Sequence, residues 1–64
     1  MEPKISLTQT AFAEVMTEWE RRWREEPELS RMRIELLKAE GAPETYGGEA
    51  TAYFFWLAKE MGKV

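Results

Sequence analysis

The sequence predicts an all-α fold, a small antiparallel three-helix bundle with a short extended N-terminal arm. Three segments carry apolar residues at intervals of three and four, the spacing that places side chains on one face of a helix. A proline separates the first two segments, and a glycine-rich loop separates the last two. No stretch alternates apolar and polar residues as a half-buried strand does. We therefore expect one domain over residues 1–64, with helices at about 8–26, 27–40 and 48–61.

The arm is predicted to cover residues 1–6, with Ile5 and Leu7 packed against the bundle. The first helix has two candidate N-caps. Ser6 matches the start of a capping box, whereas Thr8 would let Leu7 form a hydrophobic staple. We favour Thr8, because the staple also gives Leu7 a buried position.

The first helix carries the clearest apolar stripe and is predicted to end at Pro27, since the residue before a proline is displaced from helical geometry. Pro27 then suits the first position of the second helix, where its missing N–H costs nothing. Gly41 is the predicted stop of that helix. The stripe of the first helix is Phe12, Val15, Met16, Trp19 and Trp23. That of the second is Leu29, Met32, Leu36 and Ala39, widened by Leu37.

The third helix is the most informative part of the chain, because Phe54, Phe55, Trp56 and Leu57 follow one another and point in four directions. A chain of 64 residues has little other surface with which to cover every side of such a helix. Exposed aromatic residues are typical interface anchors. The alternative is that the loop at 43–46 and the N-terminal arm fold over Phe55 and Trp56.

The sequence therefore predicts a protein-interaction module that self-associates through its third helix, as a homodimer. The predicted partner interface consists of Phe55, Trp56, Ile34 and Tyr53. Ile34 is included because it lies on the far side of the second helix from the predicted stripe, where we expect it to be exposed. Nothing in the sequence identifies the biological process.

The composition argues against an enzyme and against a metal or cofactor site. The chain has no histidine, cysteine or aspartate, and all twelve acidic residues are glutamate. The usual zinc, copper and haem ligands are therefore missing, as are most pairs of nucleophile and base. We expect no catalytic residues, no bound cofactor and no metal.

Nucleic-acid binding is the alternative function, through the cluster Arg21, Arg22, Arg24, Arg31 and Arg33. The net charge of −3 argues against it. Helical spacing also places Glu18 to pair with Arg22, Glu20 with Arg24, and Glu25 with Arg21, so we interpret the cluster as a solvated, ion-paired face.

Arg33 differs from the other arginines, because no acidic residue lies three or four positions away on its helix. It is predicted to extend along apolar surface or to pair with a glutamate of another helix. The functional alternative is an anion contact to a carboxylate or phosphate of a partner.

We expect no membrane association, since the longest apolar run is about nine residues, well short of the ~20 that a bilayer-spanning helix needs. No apolar signal stretch is present near Met1, and cysteine is absent. The predicted location is the cytoplasm.

Overall fold

The computed structural model describes residues 7–64, and this part of the chain contains four helices and no strand. They are α1 (Gln9–Glu25), α2 (Pro27–Ala39), α3 (Ala42–Tyr46) and α4 (Glu49–Glu60). The all-α class is confirmed, and the predicted third helix is α4. The predicted arm at 1–6, including Ile5 and the alternative cap Ser6, lies outside the described residues.

The start of α1 and its junction with α2 follow the local signals of the sequence. Thr8 is the N-cap, and its side-chain oxygen accepts a hydrogen bond from the backbone N–H of Ala11 at 3.1 Å. Glu26 separates α1 from α2, and Pro27 occupies the first turn of α2. The Glu26 N–H donates to the carbonyl oxygen of Arg22 at 2.7 Å, so the chain changes direction without losing this hydrogen bond.

A short helix, α3, occupies the segment that is predicted from the sequence to be a loop. It lies between Gly41 and Gly47, which have φ angles of 79° and 89°. Glycine tolerates this left-handed conformation because it has no Cβ. The N–H groups of Gly47 and Gly48 both donate to the carbonyl oxygen of Pro43, at 2.8 and 2.9 Å, and α3 ends there after little more than one turn.

The core has two parts, and α4 contributes to both because it packs against each of the other three helices. Trp19 and Trp56 pack against both parts and connect them. One part, between α1 and α4, consists of Val15, Phe54, Leu57 and Ala58. The other, between α2 and α4, consists of Ile34, Leu37, Ala52 and Tyr53.

The second helix turns a different face to the core than the sequence predicts. Leu29, Met32 and Leu36, expected inside, are 57%, 62% and 51% exposed. Ala39 is exposed as well. The buried residues of α2 are Ser30, Ile34 and Leu37, of which the predicted face included Leu37 alone, at its margin. The expectation that Ile34 is exposed is therefore wrong.

A hydrogen bond between α2 and α4 explains this orientation. The Ser30 hydroxyl lies 2.9 Å from the Tyr53 hydroxyl, and both residues are almost fully buried. A buried phenol needs a hydrogen-bond partner, because an unsatisfied hydroxyl costs about 1–3 kcal/mol. The small serine side chain provides one, and Ile34 and Leu37 then complete the packing face.

Candidate interaction surface

Exposed apolar side chains are concentrated on one helix. Five large hydrophobic residues are roughly half exposed, and three of them lie on α2. These three, Leu29, Met32 and Leu36, recur at intervals of three and four, so they form a single line along the helix. We call them the outer stripe. At 3.6 residues per turn it lies about 130° around α2 from the buried face, so the packing of residues 7–64 leaves it more than half exposed.

A groove runs between the outer stripe and α4, with a volume of about 260 Å³. Leu29, Met32 and Leu36 form one wall, Trp56 belongs to the other, and Ser30 and Tyr53 lie between them. Arg22, Glu26 and Arg33 complete the lining. The groove thus combines apolar walls with a few charged groups, which is typical of binding sites.

Arg33 lies directly over Trp56, with its guanidinium carbon 4.2 Å from the centre of the indole ring. This cation–π contact agrees with the expectation that Arg33 extends along apolar surface. Within residues 7–64 no carboxylate lies within 4.0 Å of its guanidinium, so the predicted pairing with a glutamate of another helix is not observed there. Stacking occupies one face of the guanidinium and leaves its N–H edge able to donate.

The remaining arginines of α1 are engaged with glutamates of their own helix. Glu18 accepts hydrogen bonds from Arg21 at 2.7 and 2.9 Å, and from Arg22 at 2.7 Å. These bonds, that from Arg21 foremost, lower the pKa of the Glu18 carboxyl to about 2. The hydrogen bond to Glu18 is also the main cause that raises the pKa of both arginines. The charge of this part of the cluster is therefore largely balanced.

Two of the three predicted ion pairs on α1 are formed, and one is replaced. Arg22 pairs with Glu18, and Arg21 reaches Glu25 at 3.0 Å. The pair between Glu20 and Arg24 is not observed in the described part of the chain. Arg24 lies 3.5 Å from Glu25 instead, so Glu25 forms ion pairs with two arginines at the end of the helix.

Phe55 faces a different side of the molecule from Trp56. It lines a second groove of about 280 Å³ between α1 and α4, together with Phe12 and Met16. The Tyr46 ring of α3 packs against Phe55, with the ring centres 5.3 Å apart. Phe55 is therefore half-buried, because α3 folds over one side of it.

Two residues of the predicted interface are enclosed by the chain itself. Tyr53 is 2% exposed, and its ring packs against Trp23 and Trp56 at centre distances of 5.8 and 6.0 Å. Ile34 is 9% exposed and packs with the same buried group. Of the four predicted interface residues, only Phe55 and Trp56 reach the surface, and they lie in separate grooves.

The described residues contain no cluster of three side chains suited to hold a metal ion. No helix in that part of the chain combines the length and the apolar character that crossing a bilayer requires. In comparisons with known proteins, no family model matches the chain, and no significant match was found among curated proteins or solved structures.

Proposed function

We propose that this protein is a small non-enzymatic protein-interaction module that pairs with a second copy of itself. The pairing surface is the outer stripe of α2, extended by Trp56 of α4. One observation carries the proposal. Three large apolar side chains lie in line on a helix whose opposite side already belongs to the core, and each is more than half exposed. Apolar patches of this kind mark interaction sites.

The free energy available from this surface favours a weak, reversible dimer. Full burial of a leucine or methionine side chain contributes about 1.5–3 kcal/mol, and roughly half of that remains to be gained at each stripe residue. Three such residues from each copy contribute on the order of 5 kcal/mol to the free energy of association. The loss of rotational and translational freedom on binding reduces this gain. Burying Trp56 adds to the gain. We expect dissociation constants of roughly a few hundred micromolar to millimolar.

The side chains that line the groove give little support to a catalytic role. Its buried hydroxyls, those of Ser30 and Tyr53, are hydrogen-bonded to each other. Activating a hydroxyl needs an adjacent base, and the sequence has no histidine to serve as one. The proposed location of the protein is the cytoplasm, which the absence of cysteine supports.

Nucleic-acid binding is less well supported than self-association. Of the five arginines between positions 21 and 33, three already have carboxylate partners on α1. Only Arg31 and Arg33 have no such partner among the described residues. Two such cations, on a chain with a net charge of −3, give a nucleic acid little positive surface to bind.

Sedimentation equilibrium from low micromolar to millimolar concentration tests the proposal. We expect the wild-type mass to rise toward that of a dimer, and Met32→Glu to remain monomeric because burying a carboxylate in the stripe is costly. Thr17→Glu is the matched control. Thr17 is exposed on α1, and its hydroxyl bonds only to the Ala13 carbonyl oxygen of the same helix. A wild-type chain that stays monomeric at millimolar concentration would refute self-association.

A further inference from the structure

We infer that two copies pair with their α2 helices parallel, about a two-fold axis along the helices, so that Glu28 of each copy meets Arg33 of the other. This inference rests on the proposed self-association and adds its orientation. It follows from how charge is distributed on either side of the outer stripe.

Glu28 and Arg33 border the outer stripe on opposite sides. At 3.6 residues per turn, each lies roughly 70° from the centre of the stripe, in opposite directions. Glu28 is exposed, and no ion pair within residues 7–64 involves it or Arg33. Within the described part of the chain, the stripe therefore has an anion without an ion-pair partner on one edge and such a cation on the other.

The spacing of these two charges fits a parallel pair of helices. Leu29, Met32 and Leu36 occupy the a, d and a positions of a heptad, which makes Glu28 a g position and Arg33 the following e position. In a parallel pair, g of one helix faces the next e of its partner, and such contacts set orientation. Symmetry provides this Glu28–Arg33 contact twice.

An antiparallel pair would bring like charges together. Its two-fold axis crosses the helices, so each edge of the stripe faces the same edge of the partner. Glu28 would then face Glu35 of the second copy, and the two Arg33 side chains would meet near the axis. Like charges at such positions are unfavourable.

The parallel arrangement also brings Glu35 near Glu40 of the second copy, which is the one unfavourable contact. Two features reduce it. Lys38 lies 3.4 Å from the Glu35 carboxylate, and Glu40 follows the last residue of α2, where the helices are free to diverge. The contact is therefore both partly neutralised and at the end of the interface.

Trp56 is the residue that prepares Arg33 for this contact. The indole ring fixes the plane of the guanidinium at 4.2 Å. A guanidinium held in this way loses less side-chain entropy when its N–H edge binds a carboxylate. Trp56 thus acts as a positioning residue, and Arg33 makes the contact.

Charge exchange between the two positions tests the orientation. We expect Glu28→Arg and Arg33→Glu each to weaken dimerisation about tenfold or more, because two symmetry-related attractions become repulsions. A mixture of the two variants regains attraction in both contacts, and so does the double variant in one chain. Both are expected to bind within a few-fold of wild type. Arg31→Glu, the same charge change on the exposed side of α2 away from the stripe, is expected to have little effect.

The possible outcomes separate the orientation from the proposed function. A dimer that Glu28→Arg strengthens, or whose affinity the double variant fails to restore, would overturn the parallel orientation and leave self-association intact. A wild-type chain that never dimerises would overturn both. Far-UV circular dichroism of each variant establishes that loss of binding is not loss of helix. Restoration in the double variant, which has no Arg33 in either copy, excludes the broken Arg33–Trp56 stacking as the cause.

Discussion

Removing one partner of the buried hydrogen bond between Ser30 and Tyr53 is expected to destabilise the fold. The two hydroxyl oxygens are 2.9 Å apart, and the residues are 0% and 2% exposed. Ser30→Ala removes the one side-chain hydrogen-bond partner that the described residues give the Tyr53 hydroxyl. The orphaned hydroxyl costs about 1–3 kcal/mol.

The net effect of Ser30→Ala is smaller than this cost. Alanine favours the helix over serine by up to about 0.5 kcal/mol, which offsets part of the loss. A net destabilisation of about 1.5 kcal/mol remains. For a domain of this size that corresponds to a decrease in melting temperature of roughly 6–12 °C. Against a total stability of roughly 3–10 kcal/mol, the change is easily measured.

The reverse substitution is expected to cost less. In Tyr53→Phe the Ser30 hydroxyl can donate to the carbonyl oxygen of Glu26, one turn earlier in α2. The double variant has neither hydroxyl to satisfy, so its destabilisation falls short of the sum of the two single values by about 1 kcal/mol. That difference measures the coupling between the two side chains.

Urea denaturation followed by far-UV circular dichroism measures these free energies, at a low micromolar concentration so that association does not contribute. If the destabilisations of the two single variants add up to that of the double variant, with a coupling below about 0.3 kcal/mol, the view that this hydrogen bond sets the orientation of α2 is refuted. A Ser30→Ala variant as stable as wild type would refute it as well.

Two further predictions concern electrostatics and packing. Because the folded pKa of Glu18, about 2, lies below its unfolded value of 4.5, its stabilisation is complete above about pH 5 and is lost as the pH falls through 2. Denaturation across this pH range measures the free energy of unfolding of Glu18→Gln. At pH 7 it should lie less than about 1 kcal/mol below that of wild type, and at low pH the two values should converge. A difference that stays constant with pH would contradict this reasoning. Leu57→Ala should cost about 2–5 kcal/mol because Leu57 is fully buried, whereas Leu36→Ala should cost below about 1 kcal/mol because Leu36 is half exposed. Thermal denaturation of the two variants compares them, and equal losses would show that α2 turns the other face inward.

The ends of the long helices were predictable, because each depends on one or two residues. Thr8 offers a side-chain oxygen to the first turn of α1, and Pro27 is compatible with the first turn of a helix but not with its interior. The short helix α3 was not predictable in the same way. A helix of five residues has no room for an apolar stripe, and the glycines on both sides of it are equally typical of loops.

The face that α2 buries was predicted wrongly for a physical reason. The helix has two candidate stripes, and the one with more apolar residues is the one left exposed. Ser30 makes the true core face look polar, and only its partner Tyr53, 23 residues away, explains its burial. A pattern within one helix does not contain that information. For the same reason the contact of Arg33 with Trp56 could not be predicted, since this contact joins two helices.

The position of α4 in the chain affects how the protein folds during synthesis. Residues of α4 belong to both parts of the core, so α1 and α2 emerge from the ribosome before the surface that holds them exists. At about 5–20 residues per second, Trp19 and Trp23 of α1 stay in contact with water for roughly a second or more before α4 is complete. During that interval the nascent segment is a candidate for chaperone binding, and native structure is expected to form in one step once α4 has emerged.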